Sequence, residues 1–202
     1  MGVTFEYPVG ATPLDRDEAA ALIPSHISTQ GQLNAWELQN VLYGERWAFG
    51  RKHRIILSLE FMRLLHKRMF GDTWRWAGEI RTTEKNIGIA PGNIYVEIKI
   101  LCDDVETQLK YNHWPMKEIA ARFHHRLVSI HPFPNGNGRF SRTMADLLLG
   151  ANGEERFAWG ADLVGEGEIR SRYISSLRSA DQRDYSSLFY FLGLANVRKK
   201  GK

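Results

Sequence analysis

Apolar residues recur at the spacing of an α-helix through most of this sequence, and that periodicity restricts the fold more than any other feature. The clearest segment is Met116–Ile130, where Ile119, Phe123 and Leu127 share one face. Pro115 stands at its start, where proline suits the first turn, and Pro132 follows its end. The sequence therefore predicts a mostly helical protein.

The same periodicity, with capping residues at the boundaries, predicts further helices along the chain. They run from Asp15 to Ala21, Leu33 to about Gly50, Ser58 to Gly71, about Val96 to Asn112, Arg139 to Leu149, Glu168 to Ser179 and Asp184 to Leu194. Glu37 and Glu45, in the second of these, are expected to face solvent or an adjoining site.

One segment departs from the helical pattern. Ile87-Gly88-Ile89 and Ile94-Tyr95-Val96 are separated by Ala90 to Asn93, which contains the turn-forming pair Pro91-Gly92. This pattern predicts a short β-hairpin, and an isolated hairpin in a helical protein is best placed as a flap over a site. The predicted fold class is all-α, a helical core with one short β-hairpin flap.

Length and composition indicate one globular domain. The chain has 202 residues, of which 43% are hydrophobic and 25% charged, enough apolar content for a packed core. We expect residues 1–57 to form an N-terminal arm and helices, 58–195 the core and 196–202 a basic tail. The net charge of +4 is too small to define a nucleic-acid-binding face, so DNA binding through the tail is a weak alternative.

The single cysteine, Cys102, excludes an internal disulfide and is expected to be a buried apolar residue. The sequence has no apolar run of about 18 residues that would predict a membrane helix. Its first residues lack the basic and apolar regions of a signal peptide. A cytoplasmic protein is the expected result.

The loop that follows Met116–Ile130 carries the residues suited to chemistry. Gly136 and Gly138 let the main chain approach a ligand closely, and a helix beginning near Gly138 presents unpaired N–H groups to an anion. Arg139 and Arg142 lie one helical turn apart and can both reach the same side of that turn. The pattern predicts a site for more than one phosphate.

His131 precedes this loop and can act as a general base, since much of an ordinary histidine is neutral at pH 7. Phe133, between two prolines, is the expected buried anchor of the loop. Asn137 could use its amide to hold the loop or to touch a phosphate. Taken singly, His131 would more often be an ordinary helix-capping residue, but its neighbours favour a functional one.

The stretch from His131 to Arg142 resembles the motif of the Fic family, His-x-Phe-x-(Asp/Glu)-Gly-Asn-Gly-Arg-x-x-Arg. The matching positions are His131, Phe133, Gly136, Asn137, Gly138, Arg139 and Arg142. The segment from Leu65-His66 through Trp76-Ala77-Gly78 to Arg81 resembles the part of the family that precedes its flap, and together these cover about half the chain. Gly10 to Leu14 and the form His-Pro-Phe-Pro-Asn resemble the subgroup called mobile mystery protein B, found beside a helix-turn-helix partner.

The resemblance implies transfer of AMP from ATP to a hydroxyl side chain of a target protein. His131 would deprotonate that hydroxyl, the amides around Gly136 and Gly138 would bind the α- and β-phosphates, Arg139 the β-phosphate and Arg142 the γ-phosphate. The flap residues Ile87, Gly88, Ile89, Ile94 and Tyr95 would pair with the target segment. Gly138 separates this chain from the related Doc phosphotransferases, which carry lysine there.

Asn135 departs from the family motif, because an acidic residue is usual at its position. An amide oxygen is a weaker Mg²⁺ ligand than a carboxylate, so Mg²⁺ would be held mainly by the ATP phosphates, with Asn135 supplying one oxygen. The alternative is therefore an impaired Fic fold that binds a nucleotide or a partner protein and turns over little.

Three further patterns have structural interpretations. Ser28 to Asn34 has the spacing of the family's inhibitory helix but carries Gln32 in place of its glutamate, which favours helix capping by Ser28 or Thr29. A zinc site at His124 and His131 lacks a second pair of ligands. Trp47, Trp74 and Trp76 are expected in the core, not on a base-stacking surface.

Overall fold

The computed structural model describes residues 12–51, 53, 55–160 and 167–194, and shows an all-α protein. Eight α-helices lie in these ranges: α1 Arg16–Ala19, α2 Gln30–Phe49, α3 Leu59–Phe70, α4 Ile94–Lys110, α5 Met116–Ile130, α6 Asn137–Ala151, α7 Glu168–Asp181 and α8 Ser186–Phe191. The predicted arm over residues 1–11, including Gly10 and Ala11, and the basic tail 196–202 lie outside the described residues.

Most predicted helices are confirmed, and their ends lie at the predicted capping residues. Asp15 forms a capping box with Glu18 at α1, and the Ser58 hydroxyl accepts from the Phe61 N–H at α3. Thr29 forms a capping box with Gln32 at α2, so the segment that resembled an inhibitory helix caps α2 instead.

The core lies where α5 and α6 pack together, with α2 and α3 on one side and α7 and α8 on another. Phe123, Leu127, Phe140 and Met144 are almost completely buried there. Burying a side chain of this size contributes about 2 kcal/mol, so the α5–α6 pair is the stable frame for the loop that joins them. Cys102 is buried on α4 as predicted.

The predicted β-hairpin is wrong. Residues 87–89 form an irregular loop, Pro91–Asn93 a 3₁₀ turn, and Ile94 begins α4. The hairpin interpretation assigned Ile94 to an alternating strand, whereas Ile94 is the first member of the helical stripe that α4 buries. That stripe consists of Ile94, Ile98, Leu101, Cys102 and Val105.

Among the described residues, the only β-type pairing is an isolated bridge between Leu22 and Trp74. That bridge ties the segment after α1 to the turn after α3. In the same ranges no helix combines the length and the apolar character needed to cross a membrane.

Candidate functional site

The loop between α5 and α6 begins with an unusual backbone conformation at His131. Its φ of 55° and ψ of 61° are left-handed, a region that costs a residue other than glycine about 1 kcal/mol. This conformation ends α5 and turns the chain toward α6. Backbone strain of this kind is common at functional residues, where the surrounding structure holds it in place.

Arg81 holds that turn. Its side chain is buried, and its guanidinium donates to the carbonyls of His131, at 2.6 Å, and Ile89. Its backbone N–H also donates to the Pro132 carbonyl at 3.0 Å. The positive charge therefore lies among carbonyls at the end of α5, where the helix dipole favours a cation.

The His131 ring is buried, and its Nε2 lies 3.0 Å from the Thr12 hydroxyl. Burial lowers the pKa of His131 to about 4, and the nearby charges of Arg81 and Lys85 act in the same direction. The ring is therefore neutral at pH 7 and has a free nitrogen lone pair. When its proton is on Nδ1, Nε2 accepts a hydrogen bond from Thr12.

Phe133 anchors the loop as predicted, because its side chain is completely buried. The His66 ring stacks on it with centroids 3.8 Å apart. Asn137 fixes the same turn from the other side: its Oδ1 accepts from the Phe133 N–H and its Nδ2 donates to the Phe133 carbonyl. Of the two predicted roles for the Asn137 amide, the structure shows the first, holding the loop.

His66 supports the loop from α3. Its Nδ1 accepts from the Gly78 N–H at 3.0 Å, so its Nε2 carries the proton and donates to the Asn135 carbonyl at 3.1 Å. Burial lowers its pKa to about 3. The ring is therefore a neutral link between α3, the turn at Gly78 and the loop.

The two glycines of the loop have different surroundings. Gly136 has a φ of 78°, and a Cβ there would lie 2.6 Å from the Phe70 ring, so both conformation and space require glycine. A Cβ at Gly138 would meet only the Arg142 guanidinium, at 3.7 Å. A larger side chain would therefore fit at residue 138 without a clash inside the protein. The glycine leaves open space at the N-terminus of α6, where N–H groups attract anions.

The two arginines of the first turns of α6 contact different neighbours. Arg139 Nη1 lies 2.8 Å from Glu37 Oε2, and its guanidinium lies over the Phe70 ring. Arg142 lies over the Tyr173 ring of α7, 5.7 Å from its centroid. Arg139 therefore contacts residues of α2 and α3, and Arg142 contacts a residue of α7; that both reach the same side of the turn stays a prediction.

Glu37 faces this site and not solvent. Its Oε1 accepts from Trp74 Nε1 at 2.6 Å while Oε2 binds Arg139. Glu45, two turns later on α2, accepts from the Thr143 hydroxyl of α6. Of the two surroundings predicted for these glutamates, the adjoining site is therefore the one found.

Asn135 is not placed as a metal ligand. Its Oδ1 accepts from the Gly136 N–H at 2.6 Å, and its Nδ2 donates to the Thr12 carbonyl at 2.9 Å, so both ends of the amide are engaged. Over the described ranges, no group of three or more His, Cys, Asp or Glu side chains could hold a metal ion. The residues do not fit a Mg²⁺ ion bound by the protein alone.

The predicted flap residues are divided between a loop and a helix. The backbone at Gly88 packs directly against His131, because a Cβ at residue 88 would lie only 2.7 Å from His131 Cβ. Ile87 and Gly88 are exposed and Ile89 is half-buried, so this loop can still meet a target segment. Ile94 is fully buried in α4 and cannot, whereas Tyr95 is exposed on the first turn of α4.

The other histidines and the tryptophans have structural roles. His124 binds the Tyr173 hydroxyl, and His125 binds Tyr185 and Asp181, which joins α5 to α7 and α8. Trp74 and Trp76 stack on each other with centroids 5.1 Å apart and donate hydrogen bonds into the protein. Neither a zinc pair nor a base-stacking surface is found among them.

Sequence reasoning missed the partners of the motif. Thr12, Glu37, His66 and Arg81 contact it from three separate parts of the chain, so no local spacing connects them to it. Arg81 and His66 lay within the segment that resembled the family, yet nothing in the pattern indicated burial of both.

Comparison with known proteins gives a consistent result. Residues 56–149 match the model of the Fic/DOC family. A protein adenylyltransferase, fic-1 of Caenorhabditis elegans, is 29% identical over 133 residues, covering 63% of this chain and 25% of its own length. A Fido domain-containing protein of Dictyostelium discoideum is 41% identical over 64 residues, covering 32% of this chain and 41% of its own.

Among solved structures, the N-terminal Fic domain of a VirB-translocated effector protein from Bartonella quintana, with bound ADP, superposes with a TM-score of 0.67. The match is 17% identical and covers 83% of this chain and 86% of the other, so it supports the fold. This chain spans about a quarter of the length of the adenylyltransferase relative. None of these matches tests the subgroup resemblance, which stays a prediction.

Proposed function

Because the chain belongs to the Fic/DOC family through residues 56–149, we propose that it transfers AMP from ATP to a hydroxyl side chain of a target protein. The observation that carries this proposal is that His131, with a neutral ring, ends α5 and begins the short loop into α6, whose first turn has open space at Gly138. A base next to an anion site is the arrangement that nucleotidyl transfer to a hydroxyl requires.

In this proposal the backbone N–H groups from Gly136 to Gly138 bind the α- and β-phosphates. Arg139 binds the β-phosphate and Arg142 the γ-phosphate. The open space at Gly138 lets the phosphates approach the main chain. Release of Glu37 by Arg139 accompanies nucleotide binding, because the phosphate and the carboxylate compete for one guanidinium.

His131 Nε2 accepts the proton of the attacking hydroxyl. A pKa of about 4 keeps the ring neutral but makes it a weak base. Phosphates bound nearby would favour the protonated ring and raise that pKa, so the base strengthens when its substrate is in place. The loop at Ile87–Ile89 passes beside His131 and is the proposed contact for the target segment.

The competing function is nucleotide or partner binding by an impaired Fic fold. The engagement of both Asn135 amide ends favours it, because no carboxylate is present to help hold Mg²⁺ at this position. A helix-turn-helix partner, the target protein and a cytoplasmic location are further proposals that rest on the sequence.

Labelling decides between transfer and binding. The purified protein is incubated with α-labelled ATP, Mg²⁺ and cell extract, beside the variants His131→Ala and Asn135→Asp. Label on protein with wild type, and none with His131→Ala, is the expected result. No label with wild type but label with Asn135→Asp would show that the natural chain is the impaired form.

A further inference from the structure

The Thr12 hydroxyl occupies the place at His131 where an attacking hydroxyl must lie. Its Oγ1 is 3.0 Å from His131 Nε2, the atom that takes the proton in the proposed function. Thr12 is buried, and among the described residues no other side-chain hydroxyl is hydrogen-bonded to His131. The chain therefore presents its own hydroxyl to its own base.

Thr12 also contacts the loop that carries the predicted phosphate site. Its carbonyl accepts from Asn135 Nδ2 at 2.9 Å, and Asn135 is the residue just before Gly136. The threonine is thus attached at two points, by its hydroxyl to the base and by its main chain to the start of the loop. Those points fix the hydroxyl at the base and the main chain beside the residue that precedes Gly136.

This placement is built into the fold by the residues that follow Thr12. Asp15 and Glu18, at the start of α1, both form ion pairs with Lys85, whose side chain is 2% exposed. The Thr83 hydroxyl donates to Asp15, and Trp76 Nε1 donates to the Glu18 carbonyl. These contacts fix α1 against the segment that precedes the loop at residues 87–89. Thr12 lies four residues before the first residue of α1, so it is held at a defined position.

Asn135 connects this arrangement to the departure from the family motif. An aspartate at this position could still accept from the Gly136 N–H but could not donate to the Thr12 carbonyl. A carboxylate oxygen would lie 2.9 Å from the Thr12 carbonyl oxygen, and the two would repel each other. The asparagine amide is therefore the side chain that allows Thr12 to lie here.

We propose that Thr12 is an acceptor for AMP within the same molecule, so that the protein adenylylates itself at this residue. The inference rests on the proposed function, since it uses the same base and phosphate site. The Thr12 Oγ1–Pα bond forms, the bond from Pα to the oxygen bridging to Pβ breaks, and pyrophosphate leaves with that electron pair. The hydroxyl proton passes to His131 Nε2, and the product is a phosphodiester on Thr12.

The test uses the full chain, unlabelled ATP and Mg²⁺, with intact mass and peptide mapping as readouts. Wild type should gain one AMP, and fragmentation should place it on Thr12. Thr12→Ser keeps the hydroxyl and should be modified, whereas Thr12→Val keeps the shape and should not. Thr82→Val, the same change at an exposed threonine, is the matched control and should behave as wild type.

A concentration series shows whether transfer occurs within one molecule. The rate constant for modification of Thr12 should stay unchanged over a tenfold range of protein concentration, whereas transfer between molecules would make it rise in proportion. A concentration-dependent rate would overturn the intramolecular proposal.

Parallel labelling of cell extract separates the two proposals. AMP on an extract protein but none on Thr12, or equal modification of Thr12→Val, sinks the self-modification and leaves the proposed function standing. If wild type and Asn135→Asp label neither themselves nor any extract protein, the proposed function fails and this inference fails with it.

Discussion

His66 and His131 are both buried and both contact the same loop, yet their partners differ in kind. One ring nitrogen of His66 accepts a hydrogen bond from the Gly78 N–H, and the other donates to the Asn135 carbonyl. Main-chain groups therefore fix the ring on both sides. The hydrogen-bond partner of His131 Nε2 is the side-chain hydroxyl of Thr12, from a distant part of the chain. A main-chain partner cannot move away from the ring unless the chain unfolds locally, whereas a ligand can displace a side-chain partner.

Two arginines of the site show the same difference. The buried guanidinium of Arg81 donates to the main-chain carbonyls of His131 and Ile89, whereas the partly exposed Arg139 pairs with the carboxylate of Glu37. Arg81 and His66 are therefore parts of the scaffold, and His131 and Arg139 are the groups available for chemistry. The predictions below test this division.

Replacement of His131 by alanine should have the largest effect. A general base contributes about 10²–10⁴-fold to a rate, so AMP transfer should fall by that factor while the melting temperature changes little. Alanine keeps the Cβ that disfavours the left-handed conformation, so the substitution relieves no backbone strain at residue 131. Transfer is measured by label incorporation, and an unchanged rate would remove His131 from the chemistry.

Replacement of His66 by alanine should act on stability instead. The change leaves a cavity beside Phe133 and strands two buried main-chain groups, which together cost about 3 kcal/mol. Chemical denaturation measures this loss. His26→Ala, at an exposed histidine, is the control and should stay within about 0.5 kcal/mol of wild type. Equal stability of the two variants would contradict the scaffold role of His66.

Acid should destabilise the fold through the buried histidines whose pKa values are lowered, among them His66 and His131. Their pKa values in the folded protein, about 3 for His66 and about 4 for His131, lie below the ordinary 6.5. The unfolded chain therefore binds more protons between these values, so stability is complete above pH 6.5 and is lost as pH falls toward 4. Denaturation midpoints at pH 7, 6 and 5 should fall less for His131→Ala than for wild type.

The smallest effect is expected at Glu37. Glutamine there keeps an acceptor for Trp74 Nε1 but removes the negative charge beside Arg139. ATP should then bind about threefold more tightly, which corresponds to roughly 0.7 kcal/mol, in the range of a partly exposed ion pair. Calorimetric titration measures this affinity, and weaker binding by Glu37→Gln would instead make Glu37 a positioning residue for Arg139.

Local sequence determined the helices and the motif loop of this protein. Capping residues such as Ser58 and the apolar period of Met116–Ile130 act within one or two turns, so their effect can be read without the rest of the chain. The left-handed backbone at Gly136 is likewise a local requirement, although Phe70 of α3 also excludes a side chain there. The strand predicted at Ile94 was wrong because a short apolar run fits a strand and a helix equally well until its buried face is known.

Only the tertiary structure decided what the motif residues contact. Thr12 reaches His131 across 119 positions, and Glu37 reaches Arg139 across 102. Such pairs depend on how α2 packs against α6 and on how the segment around α1 is held by Lys85, and burial in the folded protein, not the residue type, lowers the pKa of His131. The sequence alone predicted a base at His131 and a phosphate loop after it, and the fold placed the Thr12 hydroxyl 3.0 Å from His131 Nε2.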